Sequence, residues 1–443
     1  MDNNSLAIYG GKPARCAPLP PNYPGAMLMG REEADEVAGV LQAQSPFRYY
    51  GPNLQYKVRQ LEQTIATDMG IDYALGVTSC TAALITALKA LGIGYGDKVI
   101  VPAVTWIATA GAVVCSHAVP VFADVDDSLN LDPDRLEEAY DDEVKAIIAV
   151  PLLGNACEMD AIMSFARRKG IYVIEDVAQS LGTRYKGRLL GTIGDIGVLS
   201  FQLNKMLTAG EGGALLTRSP EWMERAVRYH DQGMFRDRAL YGIDSSDETN
   251  AFVGQNFRMS ELSGAVLLKQ WEKLGGMLAV MRRHYERIEA ELVAAIPSLR
   301  LRTIVDREGN GCSNLGIVCP DAAFAAAFNR ALQAENINTY LLYNGKPVYC
   351  TPQILRQRTA DKDSFPFCYP FRHPVVYTED MCPTASDLLA RTVFLPISPL
   401  LEQCDCVDIA AGMVRVYRTL SDEREQNDLS HEQDKTITGG TRS

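Results

Sequence analysis

Between residues 31 and 290, strand-length apolar runs alternate with helical stretches, and this alternation leaves few architectures open. The runs KVIV at 98–101, VPVFA at 119–123, AIIAV at 146–150 and IYVI at 171–174 are too short for helices and almost unbroken in apolar character. A strand that is apolar at successive positions must be covered on both faces, which is the condition of a parallel sheet built from βαβ units. The intervening stretches carry helical spacing. Leu54, Val58, Leu61 and Ile65 share one face of a helix expected over 53–67, an Ala/Leu-rich helix over 82–91 stops at Gly92, and another is expected over 159–169. The fold class is α/β, with helices on both faces of a mainly parallel sheet.

The flanks read differently. Residues 1–30, with Pro18, Pro20, Pro21 and Pro24, are expected to form an irregular N-terminal arm. A long helix near 260–293 leads out of the large domain (31–290) into a mixed pattern. There, strand-like runs at 315–318 and 393–395 and helices near 322–334 and 405–419 indicate a smaller α+β domain over 291–420. The polar stretch 421–443 is expected to be disordered.

Charge and cysteine content narrow the function. With 43 Lys plus Arg against 55 Asp plus Glu, the net charge is −12, and no basic run offers a footprint for nucleic acid or an anionic membrane. No apolar run approaches the ~18 residues of a membrane span, and MDNNSLAIYGG lacks the pattern of a signal peptide. Eleven scattered cysteines, the closest pair a CxC at Cys404 and Cys406, and five histidines make neither a disulfide framework nor a metal site. They read as thiols of a cytoplasmic protein.

Four segments turn polar where an apolar strand ends, the place where open α/β sheets collect ligands. In Val77-Thr78-Ser79-Cys80-Thr81, small polar residues open a helix, whose N–H groups and dipole suit an anion; Ser79 or Thr81 could equally serve as a cap. Trp106 follows the KVIV run, either as core or as a plate for a ring. Asp176 and Gln179 follow IYVI, where the carboxylate could meet a cationic nitrogen or cap a loop. Lys205 stands between an apolar strand and the turn Gly210-Glu211-Gly212-Gly213, where desolvation would favour the neutral, nucleophilic amine. There is no GxxxxGK[ST] and no GxGxxG opening a helix after a strand. An anion cradle, a ring plate, a carboxylate and an amine together match the parts of pyridoxal 5'-phosphate.

The same residues lie in segments that resemble the StrS/DegT-type aminotransferases, pyridoxal-phosphate enzymes of keto-sugars and ketocyclitols. The likeness runs over about residues 6–420 and includes LAIYGGKP, SCTAAL, GDKVIVPAVTW, EDVAQSLG, NKMLTAGEGGALLT and GQNFRMSELSGAVLL. It implies the aspartate-aminotransferase-like (type I) fold and a homodimer with shared active sites. It further implies that Lys205 binds the cofactor aldehyde, Asp176 pairs with the ring nitrogen, Gln179 lies near the ring oxygen and Trp106 stacks on the ring. By the same resemblance Cys80, Thr81 and Ser200 contact the phosphate, and Asn256 contacts the phosphate of the partner subunit. Phe201-Gln202 before Asn204-Lys205 is similar to the branch that uses glutamine with ketocyclitols; a nucleotide-linked keto-sugar is the alternative acceptor. A sugar dehydratase of this fold would carry His at position 205, and a non-catalytic regulator would lack the Lys or Asp. Arg48 and Arg258 are candidates for a donor carboxylate or a diphosphate, weighed against ordinary structural arginines. Asn155, after Gly154, departs from many relatives on the substrate side.

Overall fold

A computed structural model describes residues 5–236, 238–243 and 248–438. Its larger sheet contains β1 (Tyr73–Val77), β2 (Lys98–Pro102), β3 (Val119–Ala123), β4 (Val144–Ala149) and β5 (Tyr172–Asp176). A short hairpin, β6 (Arg184–Tyr185) and β7 (Arg188–Leu189), precedes the last two strands, β8 (Ile196–Ser200) and β9 (Gly213–Thr217). The seven-stranded order is β1-β9-β8-β5-β4-β2-β3. From β3 to β8 all neighbours are parallel, while β9 runs antiparallel to both β8 and β1. The reversal has a simple cause: no helix lies between β8 and β9, so there is no crossover to restore the direction.

The near-continuous apolar runs are explained by two cores. Val99 and Val101 enter one, while Ile100 between them enters the other; Ile148 and Ile147, and Ile174 and Val173, divide in the same way. The helix expected from 53 begins at Lys57, so Leu54 lies outside it. Its first N–H groups are taken by the Glu261 carboxylate, at 2.6 Å from Lys57 N and 3.1 Å from Val58 N, a cap supplied from far along the chain.

The small domain holds β10 (Asn314–Val318), β11 (Tyr340–Leu341) and β12 (Thr392–Pro396) in the antiparallel order β10-β12-β11. Its core includes Met281, Tyr285, Ile288 and Leu292 from the second half of the Glu261–Ala295 helix, whereas Leu267, Trp271 and Met277 pack under the large sheet. The change of core therefore falls between Met277 and Met281, inside an unbroken helix, and earlier than residue 290. Leu6 and Leu19 of the N-terminal arm join the same small-domain core. The last helix runs from Gln403 to Thr438, and residues 439–443 of the stretch expected to be disordered lie outside the described residues.

The contacts that join the domains include the following three. Asp124, just after β3, accepts N–H bonds from Thr384 (3.0 Å) and Ala385 (2.8 Å) and so caps the Pro383–Arg391 helix. Arg302 donates to the carbonyls of Ser128 (2.7 Å) and Leu152 (2.6 Å). The buried Lys98 of β2 donates to Asp141 (2.5 Å), Glu143 (2.9 Å) and the His373 carbonyl (2.6 Å). No described helix is long and apolar enough to cross a membrane.

Candidate active site

The carboxyl ends of β2, β5 and β8, with the helix that follows β1, enclose a cavity of about 420 Å³. Ser79, Cys80, Thr81, Trp106, Asp176, Gln179, Ser200 and Lys205 all line it, so seven of the eight residues that the resemblance assigns to the cofactor, together with Ser79, meet in one place.

At the first wall, Ser79 is the cap of the Cys80–Ala90 helix, its Oγ accepting the Ala82 N–H at 3.1 Å. The first-turn N–H groups of Cys80 and Thr81 have no acceptor within the helix and suit an anion, with the helix dipole adding to the attraction. Gly213 of β9 makes this turn possible. A Cβ at 213 would come within 2.6 Å of the Cys80 nitrogen, so only glycine lets β9 lie this close.

Asp176 ends β5 and is 4 % exposed. Its neighbour Glu175 projects to the opposite face, where it accepts N–H bonds from Gly191 (2.8 Å), Ile193 (2.6 Å) and Gly194 (2.7 Å) and fixes the turn before β8. Asp176 accepts the Thr109 hydroxyl (2.9 Å) and the Ala178 N–H (3.2 Å), and the Cys80 thiol lies 3.8 Å away. Burial pushes its carboxyl pKa up, against those hydrogen bonds and the Lys205 charge. Among the described residues no cation lies at ion-pair distance, so this buried carboxylate has room for a cationic partner.

Lys205 sits in the loop between β8 and β9. The loop is closed at its base by the Phe201 N–H to Gly212 carbonyl bond (2.9 Å) and tightened by Thr208, which donates to the Phe201 carbonyl (3.0 Å). The lysine N–H itself bonds the Gln202 carbonyl at 2.9 Å. Burial lowers the ammonium pKa, opposed by the nearby Cys80 and Asp176, which raises the share of neutral amine.

Trp106 precedes the Ile107–Cys115 helix and is 60 % exposed, its ring open to the cavity beside Tyr343 (centroids 6.1 Å apart, planes at 42°). The Gln179 amide donates to the Tyr343 hydroxyl at 3.0 Å. A second lobe of about 220 Å³ adjoins the first at Gln179, Ser200 and Lys205 and reaches the small domain. Its polar lining includes Asn22, Ser180, Asn204, Ser313, Asn314 and Tyr340.

Asn256 is the exception. It is exposed, bridges Asp231 through the backbone, and lines neither lobe. Arg258 pairs with Asp231 (2.5 Å), Arg48 is buried against Glu62 (2.8 Å), and neither lines either lobe. Asn155 is also away from the cavity. It binds the Thr303 carbonyl (2.8 Å) and the Val305 N–H (3.0 Å) between the domains. Thr109 and Tyr343 escaped the sequence reading. Thr109 follows Thr105 by one helical turn and bonds it at 2.7 Å, while Tyr343 precedes an Asn-Gly pair, the usual sign of a left-handed turn.

Residues 28–414 match the DegT/DnrJ/EryC1/StrS aminotransferase family. The chain belongs to this family. The aminotransferase is 37 % identical over 438 residues to L-glutamine:2-deoxy-scyllo-inosose aminotransferase of Streptomyces paromomycinus, covering 94 % of this chain and 98 % of that one. It is 33 % identical over 395 residues to the spore coat polysaccharide biosynthesis protein SpsC of Bacillus subtilis (strain 168), covering 86 % and 93 %. Among solved structures it is similar to 3-amino-5-hydroxybenzoic acid synthase (TM-score 0.75, 26 % identity, covering 90 % of this chain and 99 % of that one). It is likewise similar to DesI in the presence of its TDP-sugar product (TM-score 0.75, 25 % identity, covering 97 % and 100 %).

The fold is that of pyridoxal phosphate aminotransferases, and pyridoxal phosphate is the family's cofactor. The donor set of the cavity fits it: free N–H groups and hydroxyls for a phosphate, an unpaired buried carboxylate for a ring nitrogen, an exposed indole for a ring, and a desolvated amine for an aldehyde.

Proposed function

We propose that this aminotransferase moves the amino group of glutamine or glutamate to a ketone on a ketocyclitol or related keto-sugar, in aminocyclitol biosynthesis of the antibiotic type. The observation that carries the proposal is the meeting of Lys205, Asp176 and Trp106 around one cavity that continues into a lobe lined by hydroxyls and amides. Such groups exchange hydrogen bonds with the hydroxyls of a ring polyol. The near full-length similarity to a glutamine-dependent cyclitol aminotransferase supports the same acceptor class.

When bound, pyridoxal phosphate supplies a carbonyl carbon for the amine and a protonated ring that accepts electrons. The chain's own groups do the rest. Cys80, Thr81 and Ser200 would hold the phosphate, Asp176 would keep the ring nitrogen protonated by charge, and Trp106 would cover the ring. Gln179 would bond the ring oxygen, and Lys205 would hold the cofactor aldehyde and carry the proton to and from the reacting carbon. The lowered pKa of Lys205 suits this task, because a neutral amine can take the proton. We assign Asn256 to the cofactor phosphate of a partner subunit in a homodimer, consistent with its exposure away from its own cavity. Eleven free cysteines support a cytoplasmic setting.

A nucleotide-linked keto-sugar is the second reading, supported by 34 % identity over 226 residues to GDP-perosamine synthase of Escherichia coli O157:H7. Purified protein given glutamine or glutamate with a panel of ketocyclitols and nucleotide-linked keto-sugars separates the two. Amination of a free ketocyclitol with release of the donor's keto acid is the expected result. Turnover confined to nucleotide-linked substrates would overturn the cyclitol reading.

A further inference from the structure

The segment that delivers Tyr343 is unusual. Tyr343 (φ 51°), Asn344 (φ 55°) and Gly345 (φ 73°) form three successive left-handed residues, of which only the last is a glycine. Side chains disfavour this conformation, and strain of this kind persists where the surroundings hold it for a purpose. The outcome is that a side chain of the small domain reaches the large-domain site, where its hydroxyl meets Gln179 and its ring meets Trp106.

We propose that Tyr343 is a positioning residue for the reaction, which holds the Gln179 amide so that one N–H is spent on the phenol and the other is aimed at the cofactor's ring oxygen. The geometry carries the assignment. An amide NH2 has two hydrogens in a fixed plane, and anchoring one at 3.0 Å sets the direction of the second. The Trp106 contact keeps the phenol ring from swinging away, and the left-handed turn sets its approach. Gln179 has no other side-chain partner of this kind among the described residues. Tyr343 thus links the position of the small domain to the ring environment, a role that no feature of the strand-end segments discloses.

The inference rests on the reading of the cavity as the pyridoxal phosphate site with Gln179 beside the ring oxygen, and the test separates the two. Holoenzyme is prepared as wild type, Tyr343→Phe, Gln179→Ala and the double variant. Phe keeps the ring and its packing while removing only the oxygen. In the wild-type background Tyr343→Phe should lower kcat/KM about tenfold, the scale of one lost hydrogen bond. It should also move the pH midpoint of the bound cofactor's visible absorbance upward, because the ring oxygen loses a donor that favours its anion. In the Gln179→Ala background the same substitution should change neither quantity, since the side chain through which Tyr343 acts is gone. Additive effects in the double variant, or an unmoved absorbance midpoint in Tyr343→Phe, would overturn the positioning role while leaving the site reading intact. A wild-type protein that takes up no pyridoxal phosphate, or binds it at a lysine other than Lys205, would overturn both.

Discussion

At the scale of single residues, the state of Asp176 has a measurable cost. A carboxyl whose pKa is raised by burial is bound to its proton more tightly in the folded protein than in the unfolded chain, so its ionised form weakens the fold. That penalty is absent at pH values where both states are protonated and grows as the pH rises through the unfolded and then the folded pKa. Without cofactor, Asp176→Asn should therefore melt above the wild type at pH 7, with the difference vanishing as the pH falls. Thermal melts of cofactor-free protein across pH check this. With cofactor the order of merit reverses. The amide cannot balance a ring cation, and losing that ion pair in a desolvated site should raise the barrier by ~2–4 kcal/mol, about two to three orders of magnitude in kcat/KM. Activity within fivefold of wild type would reduce Asp176 to a loop cap. The neighbouring Lys205 provides the companion prediction: borohydride treatment of the loaded enzyme should fix the cofactor to the peptide containing Lys205, read by mass spectrometry, and a label on any other lysine would refute the assignment.

Among elements, Glu143 is one clamp between the large domain and the stretch around Arg372 and His373. Glu143 accepts the Arg372 N–H (3.0 Å) and, with Asp141, the Lys98 ammonium. Burial pushes the Glu143 carboxyl up, but the N–H groups of Arg372 and His373 and the Lys98 charge outweigh it and bring the pKa from 4.5 to about 2. A depressed carboxyl pKa stabilises the fold above its unfolded value, and the contribution is lost as pH falls from 4.5 through about 2. Glu143→Gln should accordingly lower the melting temperature at pH 7 and flatten the loss of stability on acidification, as followed by circular dichroism. The elements also show what the sequence makes legible. The strand runs are readable because alternate residues enter two separate cores, as Val99 and Ile100 do, so no polar position interrupts them. The cavity residues are readable because each follows such a run. The direction of β9 is not, since GALLT looks like any buried strand and its sense depends on the connection before it. Neither is the start of the Lys57–Met69 helix, whose cap is Glu261, nor Tyr343, which belongs to a different domain from the residues it touches.

For the whole molecule, the position of Asn256 outside its own cavity leads to a test by mixing subunits. Lys205→Ala and Asn256→Ala proteins should each be impaired. Where Asn256 serves the partner's cofactor, a mixed dimer collects both lesions in one site and leaves the other intact, so co-expression should restore activity above either parent. Verified mixed dimers with no recovery, alongside a clearly impaired Asn256→Ala protein, would place Asn256 in its own subunit's site. The sheet order bears on an earlier moment in the life of the chain. β1 has a single neighbour, β9, although the sequence between them supplies five of the other strands of that sheet. As the chain leaves the ribosome from its N-terminus, β3, β2, β4, β5 and β8 can pair in turn while β1 waits, because long-range pairing comes only when its partner exists. The strand that ends this wait begins with Gly213, the residue that lies against the Ser79–Cys80 turn and pairs with Ser200 just before the lysine loop. The Ser79–Cys80 turn and the lysine loop are thus brought together by one pairing event, which waits until residues 213–217, near the middle of the chain, have been made.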